Sequence, residues 1–276
     1  MKLSEAIKTC FETRDAWREG AGSGTARINT NHVLRIIGDV EIEEIQSQHF
    51  ATISLELKKE NKANATINRI TTALSTVLNE MRTLGHQLPD VHYKHQREKK
   101  SGRPGFFTEQ EIDSLLDHAK ESPDFMLMYD SILFSIKTGC RQGELLELKA
   151  GDVDWLNQEV LFRDTKNGTD HILKIHDDLV EVLKRREDYL IGEYLFPWRD
   201  KDQLLRSFKT LKLEAGMGKT DARVWHHLRH TTATWLCERG VPLRAVMGVL
   251  NHSRVETTLR YSKASSRSVA AAIDLL

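Results

Sequence analysis

His226-His-Leu-Arg-His-Thr-Thr-Ala-Thr234 is the stretch that decides how this chain reads, because it sets an imidazole and a guanidinium three positions apart in a helical pattern. A helix turns every 3.6 residues, so His226 and Arg229 share one face and can grip one ligand together. Downstream, Leu250-Asn-His-Ser-Arg-Val-Glu-Thr-Thr-Leu-Arg-Tyr261 carries His252 and Tyr261. Upstream, Thr138-Gly-Cys-Arg-Gln-Gly-Glu-Leu145 delivers Arg141 just after a Thr-Gly helix stop. Two guanidiniums, two imidazoles and one phenol form a kit for breaking a phosphodiester without metal or cofactor. Guanidinium forks hold non-bridging phosphate oxygens in pairs and stabilise the charge that grows in a pentavalent transition state. A phenol oxygen can attack phosphorus and stay attached, which stores the bond energy instead of losing it to water.

The order and spacing of these segments resemble the tyrosine recombinases, the family of phage integrases and bacterial chromosome-dimer resolvases. That family writes one motif as His-x-x-Arg, matched by His226 and Arg229. Another is Leu-Gly-His followed by the nucleophilic tyrosine nine positions on; His252 and Tyr261 keep that interval, with Asn251 in place of the usual glycine. An arginine followed by glutamate and leucine is matched by Arg141, Glu144 and Leu145. The match is close over residues 106 to 276 and looser before them.

The resemblance implies roles. Tyr261 is the expected nucleophile, and Arg141 and Arg229 the phosphate clamp. His226 would help remove the tyrosine proton or bond the phosphate, and His252 would donate to a non-bridging oxygen. Lys166, beside the Asn167-Gly168 turn, is the expected general acid for the departing 5′ oxygen, because an ammonium on a flexible stem can reach that atom. Lys174 is its rival. Glu144 reads as an orienter of Arg141, and His227 and His230 as helix packing or supporting groups. The histidines at 226 and 230 also allow a metal reading, but the glutamate of His-Glu-x-x-His and a third ligand are missing, so no metal and no cofactor are expected.

Composition sets outer bounds. The chain has 276 residues, 39% hydrophobic and 29% charged, ordinary values for a soluble globular protein of one large or two smaller domains. Apolar runs are too short to span a membrane, and the first residues lack the apolar core of a secretory signal. Cys10, Cys140 and Cys237 are odd in number and far apart, which suits reduced, intracellular thiols; the resemblance implies a cytoplasmic, nucleoid-associated protein of a bacterial or phage-infected cell. A net charge of zero counts mildly against nucleic-acid binding. Its distribution counts the other way, since Lys94, Arg97, Lys99, Lys100 and Arg103 crowd one stretch opposed there only by Glu98. They read as a solvated linker or, between two domains, as a DNA-contacting strap.

Residues 1–90 read as a small helical bundle, which the resemblance implies is a core-binding (SAM-like) DNA-binding domain. Its helices are expected from Ser4 to Glu19, Ala26 to Ile37, Ser47 to Asn61, and along the stripe Ile67, Ile70, Leu74, Val77, Leu78, Met81 and Leu84. Gly20 to Gly24 is a flexible break. Residues 91–107 form a basic, extended linker, and 108–276 the catalytic domain. Thr108 and Glu111 make a capping box. Asn167-Gly168 between Val160-Leu-Phe162 and His171-Ile-Leu-Lys-Ile175 predicts a hairpin. Helices are expected over 125–137, 178–190, 204–215, 225–239 and 243–250, followed by an apolar tail from Ser265 to Leu276.

The expected fold is therefore mainly α with a small antiparallel sheet, and the resemblance implies a two-domain, C-shaped clamp with the tyrosine recombinase catalytic fold. The resemblance implies conservative, ATP-independent recombination at specific sites on double-stranded DNA, by four protomers that assemble on it. It also implies possible accessory bending or directionality proteins, docking of the tail on its own domain or on a neighbour, and no separate arm-binding domain. Two rivals share the chemistry or the fold: a type IB topoisomerase, and a non-catalytic DNA-binding protein.

Overall fold

The computed structural model describes residues 1–20, 22–98, 105–163, 165 and 169–262. The chain divides into two compact units, Met1–Lys100 and Ser101–Leu276.

The first unit is helical: α1 (Leu3–Thr13), α2 (Asp15–Arg18), α3 (Ser23–Ile37), α4 (Ser47–Lys59) and α5 (Asn64–Thr83). The expected stripe of α5 is its core face, with Ile67, Ile70, Leu74, Val77, Leu78 and Met81 buried against Leu3, Ile7, Phe50 and Ile53. Leu84 departs from it, 48% exposed where the helix has already ended. The single first helix divides at Arg14, whose backbone is extended and whose guanidinium pairs with Glu80 at 2.6 Å. Ser4 lies inside α1 instead of capping it. Its N–H and hydroxyl both donate to Asp39, each at 2.7 Å, so the exposed amide at the helix start is satisfied from across the fold.

The basic linker expected from residue 91 is extended, and side chains of the first unit hold it as far as Glu98. Arg82 donates to the Pro89 carbonyl at 2.5 Å, and Tyr93 stacks on Phe50 with centroids 4.3 Å apart. Asn68 pairs its amide with both backbone groups of Gln96, and Asn64 donates to the Arg97 carbonyl. Side-chain amides thus replace the missing ladder partners of an extended segment. Lys94 and Arg97 are exposed on it. Lys99, Lys100 and Arg103 lie outside the described residues.

The second unit runs α6 (Glu109–Glu121), α7 (Met126–Thr138), α8 (Gln142–Leu146), β1 (Val153–Asp154), β2 (Glu159–Phe162), β3 (His171–Lys174), α9 (Val180–Asp188), α10 (Lys201–Glu214), α11 (His226–Glu238), α12 (Leu243–Leu250) and α13 (Val255–Leu259). The capping box forms, Glu111 N–H donating to Thr108 Oγ1 at 3.2 Å and Thr108 N–H to Glu111 Oε2 at 2.8 Å. Strands β2 and β3 pair antiparallel from Glu159↔Lys174 to Phe162↔His171, and the short β1 extends them to three strands. Asn167 and Gly168, the expected turn, lie outside the described residues, as does the tail from residue 263. Phe134, Phe162, Phe196, Phe208 and Trp225 fill the core. Asp130, fully buried on α7, takes Arg185 at 2.5 Å and Arg186 at 2.8 Å from α9. Three cysteines are free thiols. No helix among the described residues is long and apolar enough to cross a membrane.

Candidate active site

Three helix ends meet around Arg229. Helix α7 stops at Gly139, which adopts the left-handed conformation at φ 65° and turns the chain toward Arg141. A side chain at Gly139 would be strained there and would place its Cβ 2.7 Å from Leu250 Cδ2, so only glycine lets α7 and α12 approach this closely. Arg229, on the first turns of α11, reaches into this junction. It donates to the Gly139 carbonyl at 2.7 Å and to the Leu250 carbonyl. Arg141 donates to the Asn251 carbonyl at 3.2 Å and to Glu144 at 2.5 Å. Glu144 also accepts the Arg141 backbone N–H at 2.7 Å, which fits its reading as an orienter.

The two guanidiniums are thus fastened to consecutive carbonyls at the C-terminus of α12. A helix C-terminus carries partial negative charge, which offsets some of the repulsion between two neighbouring cations. The offset is incomplete. Arg229 is 5% exposed, and its pKa is pushed down to about 10 by burial first and the Arg141 charge second. A buried like-charge pair with one carboxylate beside it is a site that an anion stabilises.

Asn251 explains its own departure from the family pattern. It sits at φ 48°, the left-handed position that favours glycine and admits asparagine better than most residues. Its amide donates to Thr165 Oγ1 at 3.0 Å, and Thr165 in turn donates to the Thr169 carbonyl at 2.7 Å. Lys166 lies outside the described residues. The alternative, Lys174, is committed elsewhere, 3.0 Å from Glu159 and donating to the Asn157 carbonyl at 2.8 Å.

His252 follows this cap directly and pairs Nδ1 with Thr258 Oγ1 at 2.8 Å, which stitches the turn to α13. That short helix, unforeseen in the sequence, delivers Tyr261 into a small cluster with Ala233, Val246 and Leu250. Tyr261 is 4% exposed. Burial raises its pKa, while Arg260 and Arg229 act in the opposite direction.

The phenol oxygen of Tyr261 lies 2.5 Å from Nδ1 of His230. His226 packs edge-on against the same imidazole at 4.6 Å. His226 stands open to solvent as a residue, but its ring is held in this cluster. Burial and the Arg229 charge push its pKa down to about 4, so it is neutral near pH 7. His252 is likewise pushed down to about 4, and His230 to about 3, in each case by burial first. Among the described residues, no group of three His, Cys, Asp or Glu side chains is arranged to hold a metal ion.

The structure therefore gathers Arg141, Arg229, His226, His252 and Tyr261 from four helices and their ends. It adds His230, read in the sequence only as packing or support. The available signal was position: His230 is one turn from His226, on the face that carries the motif.

Residues 105–267 match the family model described as the phage integrase family. A tyrosine recombinase XerA from Thermococcus onnurineus is 28% identical over 94% of this chain and 92% of its own length. The integrase of Escherichia phage P2 is 27% identical over 99% of this chain and 77% of its own. Among solved structures, a lambda integrase tetramer bound to a Holliday junction superposes with a TM-score of 0.75 at 20% identity, covering 95% of this chain and 78% of that one. With the family model spanning more than half the sequence and the motif residues converging as described, the chain belongs to the phage integrase family, the tyrosine recombinases.

Proposed function

We propose that this protein is a site-specific DNA recombinase that cuts and rejoins double-stranded DNA without ATP, metal or cofactor. Tyr261 attacks a scissile phosphate held by Arg141 and Arg229, leaving a 3′-phosphotyrosine and a free 5′ hydroxyl. His226 and His252 complete the grip on the phosphate oxygens. Lys166 gives a proton to the departing 5′ oxygen. A 5′ hydroxyl from the partner duplex then attacks the phosphotyrosine, and a second round through a Holliday junction completes the exchange. The observation that carries this reading is the pair of guanidiniums on adjacent carbonyls beside a buried tyrosine.

Residues 1–90 act as the DNA-holding domain, and residues 108–276 as the catalytic domain. A groove of about 730 Å³ on the first unit, lined by Thr25, Asn29, Arg69, Thr72 and Thr76 among others, supports this assignment with hydrogen-bonding groups and a cation. The basic run of Lys94, Arg97, Lys99, Lys100 and Arg103 contacts phosphates along the linker. Four protomers assemble on two sites, as lambda integrase does on a Holliday junction. Accessory bending or directionality proteins are recruited according to the site, and the reaction takes place in the cytoplasm on the nucleoid.

The test is covalent capture on nicked duplexes, in which the released fragment diffuses away and traps the adduct. Wild type should yield a protein–DNA adduct, and Tyr261→Phe none. An adduct-free wild type refutes the enzyme reading. Relaxation of supercoiled plasmid without exchange between two sites would favour a topoisomerase instead.

A further inference from the structure

We infer that His230 is the immediate proton acceptor for the Tyr261 hydroxyl, an inference that rests on the reading of Tyr261 as the nucleophile. The phenol is buried, and its oxygen lies 2.5 Å from His230 Nδ1, with the two rings tilted by 42° at a centroid distance of 5.5 Å. With the His230 proton on Nε2, Nδ1 offers a lone pair and the phenol donates. The other imidazoles of the cluster are placed differently. His252 pairs Nδ1 with Thr258, and His226 presents its ring edge-on to His230.

The step balances as follows. The Tyr261 O–H bond breaks and its proton passes to His230 Nδ1, while the phenol oxygen forms its bond to phosphorus. The bond from phosphorus to the 5′ oxygen breaks, and that oxygen leaves with a proton from the Lys166 ammonium. In the return direction an attacking 5′ hydroxyl gives its proton to the Lys166 amine as it bonds to phosphorus, the bond from phosphorus to the Tyr261 oxygen breaks, and the His230 imidazolium gives its proton back to the departing phenolate. Both nitrogens end each full cycle as they began.

The groups facing His230 explain why this transfer waits for DNA. His226, His227 and Arg229 face it from its own helix, and Arg260 and Tyr261 from the chain after α13. With burial, they keep the imidazole neutral, which leaves the phenol protonated and unreactive. A phosphodiester gripped by Arg141 and Arg229 adds a negative charge to this set. The imidazolium then gains a counter-charge at the moment the phenol must lose its proton.

The probe is a nicked duplex that the wild-type protein itself selects by covalent capture from a library of randomised duplexes. On it, His230→Ala and His230→Gln should each slow single-turnover adduct formation on the order of 10²-fold while retaining non-covalent binding and the wild-type Tm. Glutamine keeps a hydrogen bond to the phenol but cannot take a proton. Added imidazole should restore part of the rate in His230→Ala. The wild-type rate should level off with rising pH, and the variant rates should keep climbing. An unchanged rate in His230→Gln, or its full recovery relative to His230→Ala, overturns the inference even if the alanine variant fails to fold. A wild type that captures no duplex, or a Tyr261→Phe protein that captures one, instead removes the nucleophile reading beneath it.

Discussion

Arg141 and Arg229 come from segments far apart in the chain, yet they donate to the carbonyls of Asn251 and Leu250, which are neighbours in sequence. Consecutive α-carbons are 3.8 Å apart, so one helix end sets the spacing of the proposed phosphate clamp. The geometry requires forks. Arg229 spans Gly139 on one side and Leu250 on the other through its two terminal nitrogens. Lysine keeps the charge but cannot bridge both carbonyls and still offer a planar face to phosphate. Arg229→Lys should therefore lower single-turnover adduct formation by roughly 10²-fold or more, with a smaller loss in DNA binding measured by gel shift. Comparable losses in both would indicate that the fork acts in binding alone.

Gly139 stands under the same junction. An alanine there meets Leu250 Cδ2 at 2.7 Å and must adopt a φ of 65° that its Cβ disfavours. Gly139→Ala should cost about 1–3 kcal/mol in urea unfolding. It should also reduce adduct formation, because displacing Leu250 moves the carbonyl that anchors Arg229. A variant with wild-type stability would mean that α7 and α12 can separate without cost.

Acid should weaken the fold in two stages. His226, His230 and His252 are neutral in the folded protein, with pKa values pushed down to about 4, about 3 and about 4 from an ordinary 6.5. Below pH 6.5 the unfolded chain binds these protons and the folded one does not, so stability falls as pH drops from 6.5 toward 4. Glu111 and Asp221 act lower. Bonds from Arg223 hold both carboxylates down at about 2, against ordinary values of 4.5 and 3.8. Their contribution is present above those ordinary values and is lost as pH falls toward 2. Urea midpoints measured across this range should decline in both windows. His252→Gln should flatten the upper decline, and Arg223→Met the lower one. A level midpoint between pH 6.5 and 4 would contradict neutral imidazoles in the folded state.

Much of the fold and of the candidate site is legible in the sequence. Helical periodicity marked α5 and α11, the Thr108–Glu111 box marked the start of α6, and the strand signals marked β2 and β3. The motif residues point to one another because the proposed phosphodiester chemistry calls on each of them. What stayed hidden depends on contacts between distant segments. Ser4 looks like a cap until Asp39 arrives to serve that end of α1. The residues from Val91 to Arg97 look like an extended linker because their partners, Asn68 and Asn64, are polar side chains with no periodic signature. Helix α13 is five residues long, too short for periodicity to register, and His230 becomes notable only once Tyr261 lies against it.

Asn251 separates two demands that glycine would leave merged. The position needs a left-handed backbone, seen at φ 48°, and here it also supplies an amide to Thr165, which is 4% exposed. Asn251→Gly should satisfy the first demand and forgo the second. The lost hydrogen bond costs about 1 kcal/mol, partly offset by relief of the backbone. Asn251→Val fails both, because a β-branched side chain is a poor occupant of that region, and should lose roughly 2–3 kcal/mol. Thr165→Val removes the other partner of the amide. If the bond contributes as described, Asn251→Gly and Thr165→Val should cost less together than the sum of their separate losses in urea unfolding. Strict additivity would show that the amide and the hydroxyl do not stabilise each other, and that asparagine stands at this position for its backbone alone.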